Sequence, residues 1–325
     1  MKIWRFIKDK LEKDIPIVLL YVLDSKGSSP GRQGFKMAVA NDGEILGTIG
    51  GGIMEHKLVE LSKSALQNGE RKIILKPQIH DKSKGKNQSG MICSGNQYVA
   101  LIPLNQSHKN IVDQIVLISN KRKEGFLKLV PSGLSFSEKT DLKPVAEKHF
   151  EYENEENWSY TEKINSTKVI HIIGGGHVGL ALSEAMNFLG FYVKVYDDRS
   201  ELNTLEQNRF AHEKIIVDYE KIDAQMEFNE RDFLVIMTFG YRTDKIILKR
   251  LYNKKIAYLG MMGSAAKTAQ LFEELEAEGI SKENLEHIKT PIGINISSKT
   301  STEIAISVAA EIIREKNRNS PSQRK

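Results

Sequence analysis

The sequence predicts an α/β protein: a mixed α/β N-terminal domain followed by a Rossmann-like, doubly wound parallel-sheet domain. Three observations lead there. Beyond residue 168 short apolar runs alternate regularly with helical patterns, the signature of a parallel sheet with covering helices. A G-x-G-x-x-G stretch stands between one such run and a helix. Before residue 150 hairpin, strand and helix signals are mixed, and 325 residues suffice for two domains.

The elements follow in order. Ile3, Phe6, Ile7 and Leu11 recur at helical spacing, so the N-terminus reads as a short amphipathic helix. "IPIVLLYVLDSKG" (15–27) is a buried strand, and "FKMAVANDGEILG" (35–47) a hairpin turning at Asn41-Asp42-Gly43. A helix after three glycines carries Ile53, Leu58, Leu61 and Leu66 on one face and ends near Gly69. Strands are expected at 72–75, 98–104 and 125–130, a helix at 110–119 and a polar loop from Ile79 to Gly90. The acidic, aperiodic stretch 151–167 reads as a linker, which sets the first domain at 1–150 and the second at 168–316. Within the second, strands are expected at 169–173, 192–196, 214–217, 233–237 and 256–259, and a helix from Val178 ends before Gly190. The last helix opens on a capping box, Thr300 and Glu303, and residues 317–325 read as a basic tail.

Composition narrows the function classes. With 40% hydrophobic and 27% charged residues the chain reads as globular, and no apolar run approaches the roughly 20 residues of a membrane span. The N-terminus lacks the apolar core of a signal peptide, so a cytoplasmic protein is expected. The net charge of +5 is spread among acids, which does not indicate nucleic acid. One cysteine, Cys93, excludes an internal disulfide and a cysteine metal cage; it is either a buried structural thiol or a reactive one, and no metal site is read.

Two glycine-rich helix starts carry the chemistry. In "KVIHIIGGGHVGLAL" the spacing is that of Gly174, Gly176 and Gly179: a tight turn, backbone approach to a phosphate, and close strand–helix packing. The helix start offers N–H donors and partial positive charge, and Asp197, ending the next strand, is placed to accept from a ribose. His177 reads either as a phosphate contact or as a local cap. In "YLGMMGSAAK", Gly263 and Ser264 join the same strand-end crevice, although Ser264 reads equally as a helix cap. In the first half, "GSSPGRQGFKMAVANDGEILGTIGGGIMEH" places Ser28 in a polar turn and Gly50, Gly51 and Gly52 before a helix bearing Glu55. These glycines are either a second anion cradle or a tight crossover.

G-S-S-P, G-x-K-M, G-T-I-G-G-G-x-x-E and M-x-C-x-G, followed by "GGGHVGLAL", "VYDDR", "YLGMMGSAAK" and "PIGINISSKTSTEIAISVAAEI", resemble the XdhC/CoxI family over nearly the whole chain. The resemblance implies an accessory factor for molybdenum hydroxylases such as xanthine dehydrogenase. Such a factor binds molybdenum cofactor, as molybdopterin or its dinucleotide, supports its sulfuration by a cysteine desulfurase, and delivers it to the apoenzyme. By resemblance Ser28, Gly50, Gly51, Gly52, Glu55, Gly174, Gly176, His177, Gly179, Asp197, Gly263 and Ser264 are the cofactor-side residues, and Cys93 a sulfur or molybdenum contact. Ser94 interrupts a C-G-G-like turn, Phe239 stands where a histidine of T-H-x-x-x-x-D is expected, and Ala265 where arginine is common. The last two departures remove a titrating and a cationic side chain from the crevice.

The leading expectation is a carrier whose two glycine-rich helix starts face one cofactor cleft, more a cofactor-insertion factor than an enzyme. An NAD(P)-dependent oxidoreductase using the second domain is the alternative, lacking a recognisable acid/base relay. An interaction scaffold with an empty Rossmann site is a third. Homodimerisation stays open, because a second copy often completes a cleft between small domains.

Overall fold

In the computed structural model, residues 1–27, 29–79, 95–121, 123–138, 148–164 and 168–318 are described. They form two units, Met1–Ser166 and Thr167–Lys325.

The first unit begins with α1 (Lys2–Glu12), which buries Ile7 and Leu11 of the expected face together with Trp4, while Ile3 and Phe6 are partly buried. It continues through β1 (Ile17–Gly27), β2 (Lys36–Ala40), β3 (Ile45–Gly47), α2 (Gly52–Gln67), β4 (Ile74–Ile79) and β5 (Gly95–Leu104). These five strands make an antiparallel sheet in the order β3-β2-β1-β5-β4. Side chains alternate across it. On β1, Ile17, Leu19, Tyr21 and Leu23 join the core that holds α1, whereas Val18, Leu20 and Val22 join the one that holds Leu58, Val59 and Ala65 of α2. Burial on both faces explains the unbroken apolar run. The face of α2 differs from expectation: Leu58, Val59, Ser62 and Ala65 are buried, while Ile53 is 57% exposed.

Next come α3 (Lys109–Asn120), β6 (Gly125–Val130), β7 (Gly133–Ser137), β8 (Lys148–Asn154) and β9 (Asn157–Ile164). These strands form a second antiparallel sheet, β7-β6-β9-β8. The expected linker at 151–167 is therefore corrected: most of it is a β-hairpin of the first unit. Trp158 and Tyr160 are buried at period two, but Glu162 and Lys163 follow them and mask the pattern. Glu162 is itself buried, accepting from the Tyr21 and Tyr160 hydroxyls and from Lys36 Nζ. The acids of β8 decorate an edge strand, where charge discourages further pairing.

The second unit runs β10 (Val169–Ile173), α4 (His177–Phe188), β11 (Tyr192–Asp197), α5 (Asn203–Glu206), β12 (Glu213–Ile216), α6 (Ile222–Gln225), β13 (Phe233–Ile236), α7 (Tyr241–Leu251), β14 (Tyr258–Met261), α8 (Ala265–Ala277), α9 (Lys282–Glu286) and α10 (Ser301–Arg318). All five strands are parallel, in the order β12-β11-β10-β13-β14. Leu182 and Met186 of α4 and Val308 and Ile312 of α10 pack in one core. Ile247 and Leu248 of α7 and Leu271 and Leu275 of α8 pack in another, so helices cover both faces. From β10 the chain first builds toward β12 and then returns to build toward β14. The reversal places a switch point between β10 and β13. The capping box of α10 is present, Glu303 N donating to Thr300 Oγ1 at 3.2 Å and Thr300 N to Glu303 Oε2 at 3.1 Å. That helix also extends through Arg318, into the stretch expected as a tail.

Candidate functional site

Strand register puts the ends of β10, β11, β13 and β14 side by side, since Ile173 pairs with Tyr196 and Ile236, and Ile236 with Met261. The loops leaving these strands form the carboxyl edge at the switch point. Gly174 adopts φ +114°, and a side chain there would strike the Met237 carbonyl of the neighbouring strand end. Gly179 is packed against the Gly174 carbonyl, which is the close strand–helix contact its spacing predicts. Gly176 is different: it caps α4 with an ordinary φ of −67°, and nothing lies within 4 Å of where its Cβ would stand. Neither a side-chain cap nor a first-turn acid neutralises the α4 N-terminus. His177, first residue of the helix, is exposed.

Asp197 has another role than the expected ribose acceptor. It is fully buried, and its Oδ2 accepts from Gly175 N at 2.7 Å and Arg199 Nη2 at 2.9 Å. Its Oδ1 accepts from Arg199 Nε at 2.8 Å and Arg199 N at 3.1 Å. Burial would push this carboxyl up; the Arg199 guanidinium and the two N–H groups outweigh it and hold the group below the ordinary carboxylate range. Asp197 thus fixes the glycine turn from the flank. Asp198, half exposed, is pushed up by burial and by the charge of Asp197.

At the other end of the edge, Thr238 Oγ1 donates to Asp244 Oδ1 at 2.6 Å and Lys267 Nζ pairs with Asp244 Oδ2 at 2.8 Å. Asp244 is buried, and desolvation raises its pKa despite Lys267. The crevice therefore keeps a cationic side chain, supplied by Lys267 of α8 and not by position 265. Ser264 is a helix cap, its Oγ accepting from Lys267 N at 3.2 Å, and Gly263 packs near Thr268 Oγ1. Phe239 stands 96% exposed in the β13–α7 loop. Sequence reasoning missed Arg199 and Lys267. The signal for each was a basic residue a few positions past a strand end.

The glycine turn of the first unit is closed from within. Glu55 Oε2 accepts from Thr48 Oγ1 at 2.6 Å, Ile49 N at 2.8 Å and Gly51 N at 2.9 Å, and Gly50 N donates to Thr48 Oγ1 at 3.1 Å. Burial opposes the charge of Glu55, but these donors hold its carboxyl below the ordinary range. Gly50, at φ +127°, abuts the backbone of Pro30 and Gly31, as the tight-crossover reading predicts. Of the glycine N–H groups where an external anion was expected, Gly51 N is thus taken by the chain's own carboxylate and Gly50 N by Thr48. Beneath the crossover, Ser29 Oγ and Gly31 N donate to Gln97 Oε1 at 2.7 and 3.2 Å, and Gln97 Nε2 donates to Gln78 Oε1 at 2.5 Å. Gln78 Nε2 is buried without a partner. Ser28 and Cys93 lie outside the described residues, as does Ser94. Among the described residues no cluster of His, Cys, Asp and Glu could hold a metal ion, and no helix is long and apolar enough to cross a membrane.

Comparisons with known proteins bear on both units. The chain is 28% identical to the uncharacterized protein YqeB of Escherichia coli over 95% of its own length, but spans 45% of that relative. It is 23% identical to a probable xanthine dehydrogenase subunit of Bacillus subtilis, covering 95% of this chain and 96% of that one. A crystal structure described as a xanthine dehydrogenase from Bacillus halodurans shares the fold, with a TM-score of 0.78 at 23% identity over 98% of both chains. Residues 11–76 match the XdhC and CoxI family and residues 170–312 the XdhC Rossmann domain, together more than half of the sequence. With both of its units so matched, the chain belongs to the XdhC and CoxI family.

Proposed function

We propose that this protein carries molybdenum cofactor for a molybdenum hydroxylase, holding the phosphate end of the cofactor at the start of α4. The observation that carries the reading is the open first turn of that helix. Gly176 leaves room beside it, no side chain caps it, and the macrodipole favours an anion there. The cofactor is a pterin dithiolene bearing a phosphate or pyrophosphate, the kind of group such a turn accommodates. Family membership and the distant likeness to a probable xanthine dehydrogenase subunit support the choice of cargo. In this reading the recipient is the hydroxylase apoenzyme, and a cysteine desulfurase supplies the terminal sulfur.

Within the second unit the residues divide the work. Gly174 and Gly179 shape the turn, and Asp197 with Arg199 clamps Gly175 so that the N–H groups ahead of α4 are preorganised. Lys267, held by Asp244, adds positive charge on the same sheet edge. A carrier needs donors that bind without chemistry and let go again, which backbone N–H groups provide.

The test is retention. Protein purified without oxygen from cells that make the cofactor is expected to carry molybdenum and pterin near one per chain, and Gly176→Val is expected to lose both while remaining folded. Pterin-free wild-type protein that binds NAD(H) tightly would replace this reading with an NAD(P)-dependent oxidoreductase.

A further inference from the structure

Phe239 is 96% exposed on the loop that leaves β13, and that loop is anchored on both sides. Before it, Met237 is buried with its N–H donating to the Ile173 carbonyl at 2.8 Å, and Thr238 Oγ1 donates to Asp244 Oδ1 at 2.6 Å. After it, Tyr241 packs partly buried against the core of α7 and α8, and its hydroxyl donates to Glu274 Oε1 at 2.7 Å. Fixed at both ends, the loop leaves the Phe239 ring in water.

Its place on the sheet edge gives this exposure a meaning. A Cβ on Gly174 would strike the Met237 carbonyl and come within 3.0 Å of Thr238 N. Phe239, one residue on, therefore borders the glycine turn that leads into α4. Phe188 is 89% exposed as well, but it ends α4, about 18 Å along the helix from the first turn and at the opposite edge of the sheet. An isolated exposed phenylalanine such as Phe188 is ordinary surface, whereas one bordering an uncapped helix start adds a flat apolar wall to an anion site.

The charges around this wall suit an anionic ligand. Asp244 is engaged by Thr238 and by Lys267 at 2.8 Å, and Asp197 by Gly175 and Arg199. Asp198, half exposed, lies 3.8 Å from Arg199 Nε, and Arg242 is exposed in the first turn of α7. The phenyl ring has no polar atom, so what it offers a ligand is a face on which a planar ring can lie.

We propose that Phe239 is the stacking surface for the pterin ring of a ligand whose phosphate lies at the α4 turn. The assignment rests on the carrier reading of that turn.

Calorimetric titration of the full chain with hydroxymethyl-dihydropterin pyrophosphate, against inorganic pyrophosphate, isolates the contribution of the ring. The pterin compound is expected to bind about tenfold more tightly, the scale of one aromatic stack. Phe239→Ala is expected to erase that gain with pyrophosphate affinity and melting temperature unchanged, and Phe239→Tyr to keep it. Equal binding of the two probes by the wild type, a gain that survives in Phe239→Ala, an equal gain from ADP, or no binding of the pterin compound at millimolar concentration would overturn the assignment. The two readings fail separately. Protein that retains pterin and molybdenum from cells but shows no ring gain sinks the stacking role alone, and protein that shows the gain through Phe239 yet retains neither sinks the carrier alone.

Discussion

The two glycine turns look alike as sequence and behave oppositely as structure. Both place a positive-φ glycine ahead of a helix and both gather backbone N–H groups. In the first unit Glu55, on the first turn of α2, reaches back and takes Ile49 N and Gly51 N itself. In the second, the nearest carboxylate, Asp197, approaches from the flank, takes only Gly175 N and leaves the start of α4 uncapped. A glycine-rich helix start is thus an anion site only when no side chain of its own supplies the anion. What decides the matter is an acid in the first helical turn, which α2 has and α4 lacks.

The comparison breaks most visibly at the packed glycines. Gly50→Val and Gly174→Val each force a branched residue into positive φ against neighbouring backbone. A loss of about 3 kcal/mol or more is expected in either case, read as a shift in the denaturant midpoint. Gly176→Val should cost about 1 kcal/mol at most, because its φ is ordinary and its surroundings open, yet it should abolish ligand retention. Next, Glu55→Gln removes the internal anion and should destabilise the protein by about 1–2 kcal/mol without altering ligand retention per folded molecule. Retention that falls with Glu55→Gln and survives Gly176→Val would invert the assignment of roles.

The smallest effect is in pH. The Glu55 and Asp197 carboxyls are held below their ordinary values in the folded protein. Their stabilisation is therefore complete above about pH 4.5 and lost as pH falls through the lowered native values. The stability gap between wild type and Glu55→Gln, open at pH 7, should close as pH falls through the lowered native value of Glu55. A gap that persists there would mean that Glu55 acts through packing and not through its charge.

Much of this was legible in the sequence, and the exceptions have physical causes. The parallel sheet could be read because each buried strand is a short apolar run between turn residues, and the α10 cap because Thr300 and Glu303 are three apart. The β8–β9 hairpin was hidden, since its partly exposed strands carry acids and its buried Glu162 is satisfied by Tyr21 and Lys36, more than a hundred residues away. Gly174, Gly176 and Gly179 were found by spacing. That Asp197 was spoken for could not be, because its partner Arg199 is an unremarkable arginine in a loop until the turn brings it round. Likewise the positive charge missing from position 265 returns at Lys267, one helical turn in from the cap, where it meets Asp244 from another helix.

The most direct test of the central claim compares two glycine variants for bound pterin and molybdenum, each corrected for the folded fraction. Gly176→Val should be stable and empty, and Gly51→Ala, in the turn closed by Glu55, less stable and loaded like the wild type. An empty Gly51→Ala beside a loaded Gly176→Val would contradict the account and move the anion site to the first unit.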